Sequence, residues 1–151
     1  MGMRKIFTII FVYSAIFSSC ETKRPIHFDS NSSPNSLTKH DYSEVREKRI
    51  LWNEIFSQKN DQYFVYFYSL TCAHCESIKD RMIEYSLYKD NIYFVQSSEQ
   101  IILGFDENVS LGAVSSDELS LLGYPSLIEI NQKVCVFICS GEDKIISKLS
   151  L

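Results

Sequence analysis

Two cysteines separated by two residues, Cys72 and Cys75, carry the most distinctive chemistry in this chain. An apolar, aromatic run that ends at Tyr68 precedes them, and a charged stretch with helical spacing, residues 76–89, follows them. This order predicts a buried strand, a short loop and a helix whose first turn carries both thiols. Unpaired N–H groups and the positive end of the helix dipole collect there, so a thiol ionises more easily and becomes nucleophilic. We therefore expect thiol–disulfide chemistry, with the first cysteine exposed and the second partly covered by the helix.

A metal site is the alternative use of these thiols. Zinc could bind Cys72 and Cys75 together with His74, or the pair could combine with Cys135 and Cys139 in a four-thiolate site. The second pair, however, lies inside an apolar run that reads as a strand. Residues four apart in a strand share a face and lie about 13 Å apart, so these two cysteines cannot form a disulfide. We expect both to be buried and to pack as small hydrophobic residues, or Cys139 to serve as an accessory thiol, and we predict no metal and no cofactor.

Hydrophobic periodicity predicts eight elements in the order helix, strand, helix, strand, helix, strand, strand, helix. A strand, a helix and a strand in succession predict a right-handed crossover and a parallel pair, whereas the turn at Asn131-Gln132 predicts an antiparallel hairpin. Ser115 and Glu118 have the spacing of a capping box that would begin the third helix, and Trp52 is expected to pack from the first. The predicted helices are residues 41–57, 76–89, 115–122 and 141–149, and the predicted strands are residues 63–68, 92–95, 127–130 and 134–139.

The element order, with Cys72-Ala73-His74-Cys75 after the first strand and Gly123-Tyr124-Pro125 before the third, resembles the thioredoxin fold. The resemblance covers residues 41–151. It implies a three-layer α/β fold with a central mixed sheet, β-α-β-α-β-β-α, preceded by an extra N-terminal helix. It also implies that the bond before Pro125 is cis and that this proline lies against the dithiol loop. An ordinary trans proline that ends the preceding helix is the alternative.

The resemblance also assigns roles to individual residues. Cys72 is implied to be the attacking thiolate and Cys75 the resolving cysteine of a protein-disulfide oxidoreductase, which exchanges disulfides through a mixed disulfide with a client protein. The backbone of Tyr124, beside Pro125, is implied to pair with an extended segment of that client.

Ala73 and His74, between the two cysteines, are the predicted redox-tuning residues. A His at this place resembles the oxidising, DsbA-type members of the superfamily, because its N–H or positive charge would stabilise the Cys72 thiolate and so the reduced form. The alternative is that His74 is an exposed loop residue without such a role. Three departures from the family pattern stand out: Ala73 replaces a usual proline, Thr71 replaces a usual tryptophan, and Tyr66 occupies the position of a buried acid that assists proton transfer to the second cysteine.

Residues 1–19 have the pattern of an export signal: basic residues, an apolar run and then small residues. The apolar run, residues 6–17, is shorter than the roughly 20 residues that a membrane span needs. Cys20 directly follows the small residues, which resembles the lipobox of bacterial lipoproteins, although Phe17 replaces a smaller aliphatic residue. We expect Cys20 to be lipidated. An ordinary cleaved signal, or an uncleaved anchor with an incidental Cys20, is the alternative.

Residues 20–40 contain a Ser-, Asn- and Pro-rich stretch with few large apolar side chains, which is typical of a tether. The predicted organisation is therefore a signal peptide (1–19), a lipid-anchored tether (20–40) and a thioredoxin-like domain (41–151). We expect this domain to lie outside the cytoplasm, on the membrane of a bacterial cell envelope, or to be secreted or periplasmic if no lipid is attached.

The net charge of the chain bears on which kinds of molecule it could bind. Its net charge is −4 and it has no basic cluster, which argues against nucleic acid. The expected partners are client proteins with thiols or disulfides, an unidentified partner that resets the redox state, and the membrane through the lipid anchor. A thioredoxin-like fold kept only for binding, with idle thiols, is a further alternative.

Overall fold

The computed structural model describes residues 39–97, 104 and 106–151. The predicted signal peptide (1–19), Cys20 and nearly all of the tether (20–40) lie outside the described residues, so these assignments stay predictions. Within the described ranges, no helix combines the length and the apolar character that crossing a membrane requires.

Four strands form one mixed sheet in the order β2-β1-β3-β4. They are β1 (Gln62–Tyr68), β2 (Ile92–Gln96), β3 (Ser126–Asn131) and β4 (Val134–Ser140). β1 pairs in parallel with β2 and antiparallel with β3, and β3 pairs antiparallel with β4. β1 is central and buried along most of its length, which explains why its sequence is continuously apolar instead of alternating. The predicted parallel pair and the predicted antiparallel hairpin are both confirmed.

Two α-helices, α1 (Ala73–Tyr88) and α2 (Glu142–Leu149), cover one face of this sheet. Their buried side chains pack with the even-numbered residues of β1 in a first core cluster, whose helical members are Cys75, Ile78, Met82, Ile83, Ile145 and Leu149. The odd-numbered residues of β1 face a second cluster on the other side, which is closed by loops and short helical turns that contribute Ile55, Ala113, Leu119 and Leu121. The result is a three-layer, thioredoxin-like α/β fold, as the resemblance implied.

The predicted first helix, residues 41–57, is not one continuous helix. It consists of two 3₁₀ helices, Tyr42–Lys48 and Trp52–Glu54, separated by extended backbone at Arg49. In this gap the chain runs along the outer edge of β2, and the Ile50 N–H donates to the Phe94 carbonyl at 2.9 Å. An edge strand offers unpaired backbone groups, and satisfying them interrupts the helix. Trp52 packs as predicted, edge-on against the Phe67 ring with 5.9 Å between the ring centroids.

The predicted third helix, residues 115–122, is also largely wrong. The described part of the connection between β2 and β3 contains only two short 3₁₀ helices, Glu107–Ser110 and Ser116–Glu118. The predicted capping box does not form, because the Glu118 carboxylate accepts from the Val114 N–H at 2.9 Å. Two leucines that follow, Leu119 and Leu121, are buried in the second cluster. Their burial beneath the sheet requires extended backbone, which overrides the local helical signal.

A β-bulge in β4 changes the faces of its two cysteines. Consecutive residues of β3 pair with Phe137 and Cys135, so Val136 is an extra residue in β4. The extra residue shifts the alternation of faces, and Cys135 packs in the second cluster whereas Cys139 packs in the first. The prediction that they share a face is therefore wrong, because that spacing rule holds only for an unbroken strand. Both thiols are buried as expected, and burial raises the pKa of Cys135 to about 11.

A buried ion pair joins α2 to the middle of the sheet. Glu129 of β3 is 8% exposed, and its carboxylate lies 2.9 Å from the Lys148 ammonium and accepts a hydrogen bond from the Gln62 amide. Burial alone would raise the pKa of Glu129, but the hydrogen bonds from Lys148 and Gln62 and the charge of Lys148 outweigh it, so the pKa is lowered. The carboxylate thus depends on its partners to stay charged in the folded protein.

We predict that Lys148→Met lowers the free energy of unfolding by about 1–3 kcal/mol at neutral pH, because Glu129 then keeps a buried charge without its cation. A lowered pKa means that the stabilisation is complete above the unfolded-state value and is lost as the pH falls through the folded-state value. The difference between the variant and the parent protein should therefore shrink in acid. Urea unfolding at neutral and acidic pH measures both effects.

Lys59→Met is the matched control for this substitution, because Lys59 is exposed and has no ion pair among the described residues. It should leave the unfolding free energy nearly unchanged. Equal stability of the Lys148 variant and this control at neutral pH would contradict the role given to the pair.

Candidate functional site

Cys72 forms the N-cap of α1, with extended backbone at φ −92° and ψ 116°. The N–H groups of Cys75 and Glu76 donate to its carbonyl oxygen, both at 3.1 Å. The Cys75 N–H also lies 3.3 Å from the Cys72 Sγ and donates to it. The sulfur therefore occupies the place that a Ser or Asp oxygen takes in an ordinary N-cap. A thiolate at this position accepts a backbone hydrogen bond and lies at the positive end of the helix dipole.

The two cysteines differ in their access to solvent. Cys72 is partly exposed, whereas Cys75 is 1% exposed and packs in the first core cluster beneath α1. Burial, and secondarily the hydrogen bond with the Cys72 side chain, raises the pKa of Cys75 well above that of a free thiol. The structure thus has one accessible thiol, Cys72, and one buried thiol, Cys75, as the order of the motif predicted.

The loop that precedes β3 closes over the Cys72 sulfur. The Tyr124–Pro125 bond is cis, as the resemblance implied, and the Cys72 thiol donates to the Tyr124 carbonyl oxygen at 3.3 Å. The Gly141 N–H donates to the Pro125 carbonyl at 2.9 Å, and Gly141 has φ +98°, a conformation that favours glycine. Cys72 therefore meets Tyr124 and Pro125, which lie at least 52 positions later in the chain, at one end of the sheet.

A pair of serine hydroxyls supports this loop from inside. The Ser126 hydroxyl donates to the Gly123 carbonyl at 2.7 Å and lies 2.6 Å from the Ser140 hydroxyl, on the neighbouring strand β4. The sequence carries no local signal for this contact, because the two serines meet only through the register of the hairpin.

Ala73 and His74 lie on the exposed first turn of α1. The His74 side chain is 78% exposed, and its Nδ1 atom lies 3.8 Å from the Glu142 carboxylate at the start of α2. His74 and Glu142 line a pocket of about 350 Å³ together with Tyr124 and Pro125. Glu142 was not predicted as a site residue, because nothing near it in the sequence indicates that α2 begins beside the dithiol.

Three tyrosines lie beneath the dithiol in the first core cluster. Tyr42, Tyr66 and Tyr68 are buried, and none of their hydroxyl groups has a hydrogen-bond partner among the described residues. The Tyr42 and Tyr68 rings stack with their centroids 3.8 Å apart. Burial raises the pKa of Tyr66 far above its usual value, and the charges of Tyr42 and Cys75 raise it further. Tyr66 therefore stays neutral and supplies no negative charge beneath the dithiol.

The geometry contradicts the four-thiolate zinc alternative. Cys135 lies on the face of the sheet opposite to the one that carries Cys75 and Cys139. Within the described residues, no three His, Cys, Asp or Glu side chains come together as ligands of a metal ion.

We predict that iodoacetamide modifies Cys72 in the reduced protein at least about tenfold faster than Cys75 at mildly alkaline pH, because Cys72 is partly exposed whereas Cys75 is buried and its pKa is raised by burial. Peptide mass spectrometry after timed alkylation measures the two rates, and the buried Cys135 serves as an internal reference. Equal rates at positions 72 and 75 would contradict the assigned order.

We also predict that Tyr66→Phe raises the free energy of unfolding, by up to about 1 kcal/mol, since it removes a buried hydroxyl that has no partner. Tyr63→Phe is a matched control on the same strand, because the buried Tyr63 hydroxyl donates to the Ile55 carbonyl at 2.7 Å. This control should lower the unfolding free energy by about 1 kcal/mol. If urea unfolding showed equal losses for both variants, the description of the tyrosine cluster would be wrong.

Comparison with known proteins finds similarity at the level of structure. No protein-family model matches the chain, and no curated protein matches its sequence. Thioredoxin f2 of Chlamydomonas reinhardtii is 18% identical and has a TM-score of 0.46, with 68% of this chain and 92% of that protein covered. The oxidised form of mitochondrial thioredoxin 3 from Saccharomyces cerevisiae is 13% identical, with a TM-score of 0.47 and the same coverage. The Schistosoma mansoni thioredoxin pre-protein, in its reduced form, is 20% identical, with a TM-score of 0.43 over 62% of this chain and 81% of that one.

Proposed function

We propose that this protein is a thiol–disulfide oxidoreductase that uses Cys72 and Cys75 to exchange disulfides with client proteins. The observation that carries the proposal is the placement of one accessible sulfur at the N-cap of α1, against the cis-proline loop. A second sulfur is buried directly behind it on the same helical turn. A purely structural pair of cysteines would need neither the backbone hydrogen bond to the first sulfur nor the difference in exposure.

The reaction follows from this geometry in two displacements. The Cys72 thiolate attacks one sulfur of a client disulfide, which breaks that bond, releases one client thiolate and leaves a mixed disulfide. Cys75 then loses its proton and attacks the Cys72 sulfur, so the second client thiolate leaves and the protein holds a Cys72–Cys75 disulfide. Two electrons pass from the dithiol to the client, and the proton of Cys75 leaves with the released thiol. The reverse sequence oxidises a client dithiol.

Burial gives the two cysteines different tasks in this scheme. A raised pKa keeps Cys75 protonated while Cys72 reacts, so the mixed disulfide forms before it is resolved. The Tyr124 carbonyl faces the Cys72 sulfur, and we assign the backbone on either side of it to an extended client segment. Pairing of that segment with the loop would bring its disulfide in line with Cys72.

We further propose that the domain works outside the cytoplasm. The support is the sequence pattern of residues 1–20, in which a short apolar run ends in small residues and Cys20. Disulfides persist in oxidising compartments, so a disulfide-exchange protein has clients there. A lipid on Cys20 would keep the domain at the membrane, and a separate redox partner would return the dithiol to its working state.

We predict that Cys72→Ser abolishes the acceleration that the protein gives to the reduction of insulin disulfides by dithiothreitol, because the attacking sulfur is lost. Cys75→Ser should retain the first displacement and accumulate a mixed disulfide with the client, which mass spectrometry detects as a covalent adduct on Cys72.

Cys135→Ser is the matched control, since this buried thiol lies on the other face of the sheet. It should keep the activity of the parent protein. Full activity of the Cys72 variant would rule out the proposed function.

A further inference from the structure

Glu142, the first residue of α2, is fixed against the first turns of α1. The Ser77 hydroxyl donates to its carboxylate oxygen Oε2 at 2.7 Å and also lies 2.8 Å from the His74 carbonyl oxygen. The same carboxylate oxygen lies 3.8 Å from the His74 Nδ1 atom. Only a third of the Glu142 side chain is exposed, so the carboxylate is held in place beside the helical turn that carries the dithiol.

Three other charged side chains lie near the Glu142 carboxylate among the described residues that line its pocket or begin α1. Asp143 and Lys144 line the same pocket as His74 and Glu142, and Glu76 lies on the first turn of α1. Glu76 forms an ion pair with Lys79 of α1 itself, at 2.6 Å, whereas Glu142 reaches α1 from another helix through its hydrogen bond with Ser77. A contact with the exposed His74 side chain alone would do little to fix the position of the carboxylate. The hydrogen bond from Ser77 restricts the rotation of the Glu142 side chain.

A fixed negative charge at this place affects the dithiol and the disulfide unequally. A thiolate on Cys72 can exist only in the reduced form, because the disulfide carries no charge. A positive charge beside that thiolate favours the reduced form and makes the couple more oxidising, and a negative charge has the opposite effect. A carboxylate that is fixed beside the dithiol therefore disfavours the reduced form.

An ordinary structural role for Glu142 exists and differs in its consequences. Acidic residues in the first turn of a helix stabilise it through the helix dipole, and both Glu142 and Asp143 occupy the first turn of α2. That role would change stability for either residue and would leave the redox couple unaffected. The hydrogen bond to Ser77 distinguishes Glu142 from its neighbour.

We propose that Glu142, held in place by Ser77, makes the Cys72–Cys75 couple less oxidising through its negative charge. This inference rests on the proposed function, because it concerns the same dithiol. Glu142 lies outside the Cys-x-x-Cys motif, at the start of a different helix.

The test compares Glu142→Gln with Asp143→Asn, which remove the same charge from adjacent positions. Each full-length protein is equilibrated in reduced and oxidised glutathione, and the ratio of dithiol to disulfide is measured. The Glu142 variant should shift the equilibrium toward the reduced form by about two- to fivefold, and the ultraviolet absorbance of the Cys72 thiolate should develop at a lower pH. The Asp143 variant should match the parent protein in both measurements.

Two further variants separate the charge effect from side effects. Ser77→Ala leaves the charge in place but frees the carboxylate, so it should shift the equilibrium in the same direction by a smaller factor. In a His74→Ala background, Glu142→Gln should still favour the reduced form, because the carboxylate acts on the Cys72 thiolate and does not need the imidazole of His74.

Equal equilibria for the Glu142 and Asp143 variants, or a shift toward the disulfide, would overturn the inference and leave the proposed function intact. If the parent protein forms no Cys72–Cys75 disulfide in any glutathione buffer, the proposed function fails, and the inference fails with it.

Discussion

The hydrogen bond from the Cys75 N–H to the Cys72 sulfur is the interaction on which the rest of this structure depends. It exists because a cysteine occupies the N-cap, where an oxygen side chain would normally accept from the first free N–H groups of the helix. The Cys72 sulfur therefore both caps α1 and is the atom to which we assign the reaction. The sulfur that accepts the capping hydrogen bond is also the accessible sulfur of the pair.

The sheet and its loops determine the position of this sulfur. Central β1 is buried and paired on both sides, so the position of Tyr68, where the loop to Cys72 begins, is fixed. The antiparallel β3 brings the Tyr124–Pro125 loop to the same end of the sheet from more than 50 residues away. The junction of β4 and α2 closes the third side, where Gly141 bonds to Pro125 and Glu142 bonds to Ser77. The three segments that surround the Cys72 sulfur follow or precede different strands. Their positions relative to one another therefore depend on how those strands pair.

Much of this arrangement could be predicted from the sequence, because the strongest local signals coincide with the site. The apolar run of β1, the Cys72–Cys75 spacing and Pro125 before a strand are local patterns, and the structure has each element where they indicated. Helical periodicity predicted the wrong secondary structure in the first and third helices, where tertiary contacts outweigh local helix propensity. Ile50 leaves a helical pattern to satisfy the edge of β2, and Leu119 is buried on extended backbone.

Other features depend on contacts that no window of sequence contains. The bulge at Val136 turns two cysteines to opposite faces, and a spacing rule for regular strands cannot detect it. Glu142 reaches Ser77 across 65 residues. The three tyrosine hydroxyls that have no partner among the described residues come from two elements that are distant in sequence, the first 3₁₀ helix and β1.

Disulfide mapping after equilibration in oxidised glutathione tests the central claim most directly. The account predicts a single reversible two-electron oxidation that joins Cys72 to Cys75, while Cys135 and Cys139 stay reduced. A bond that involves Cys135 or Cys139, or a Cys72–Cys75 pair that stays reduced even under strongly oxidising conditions, would contradict it.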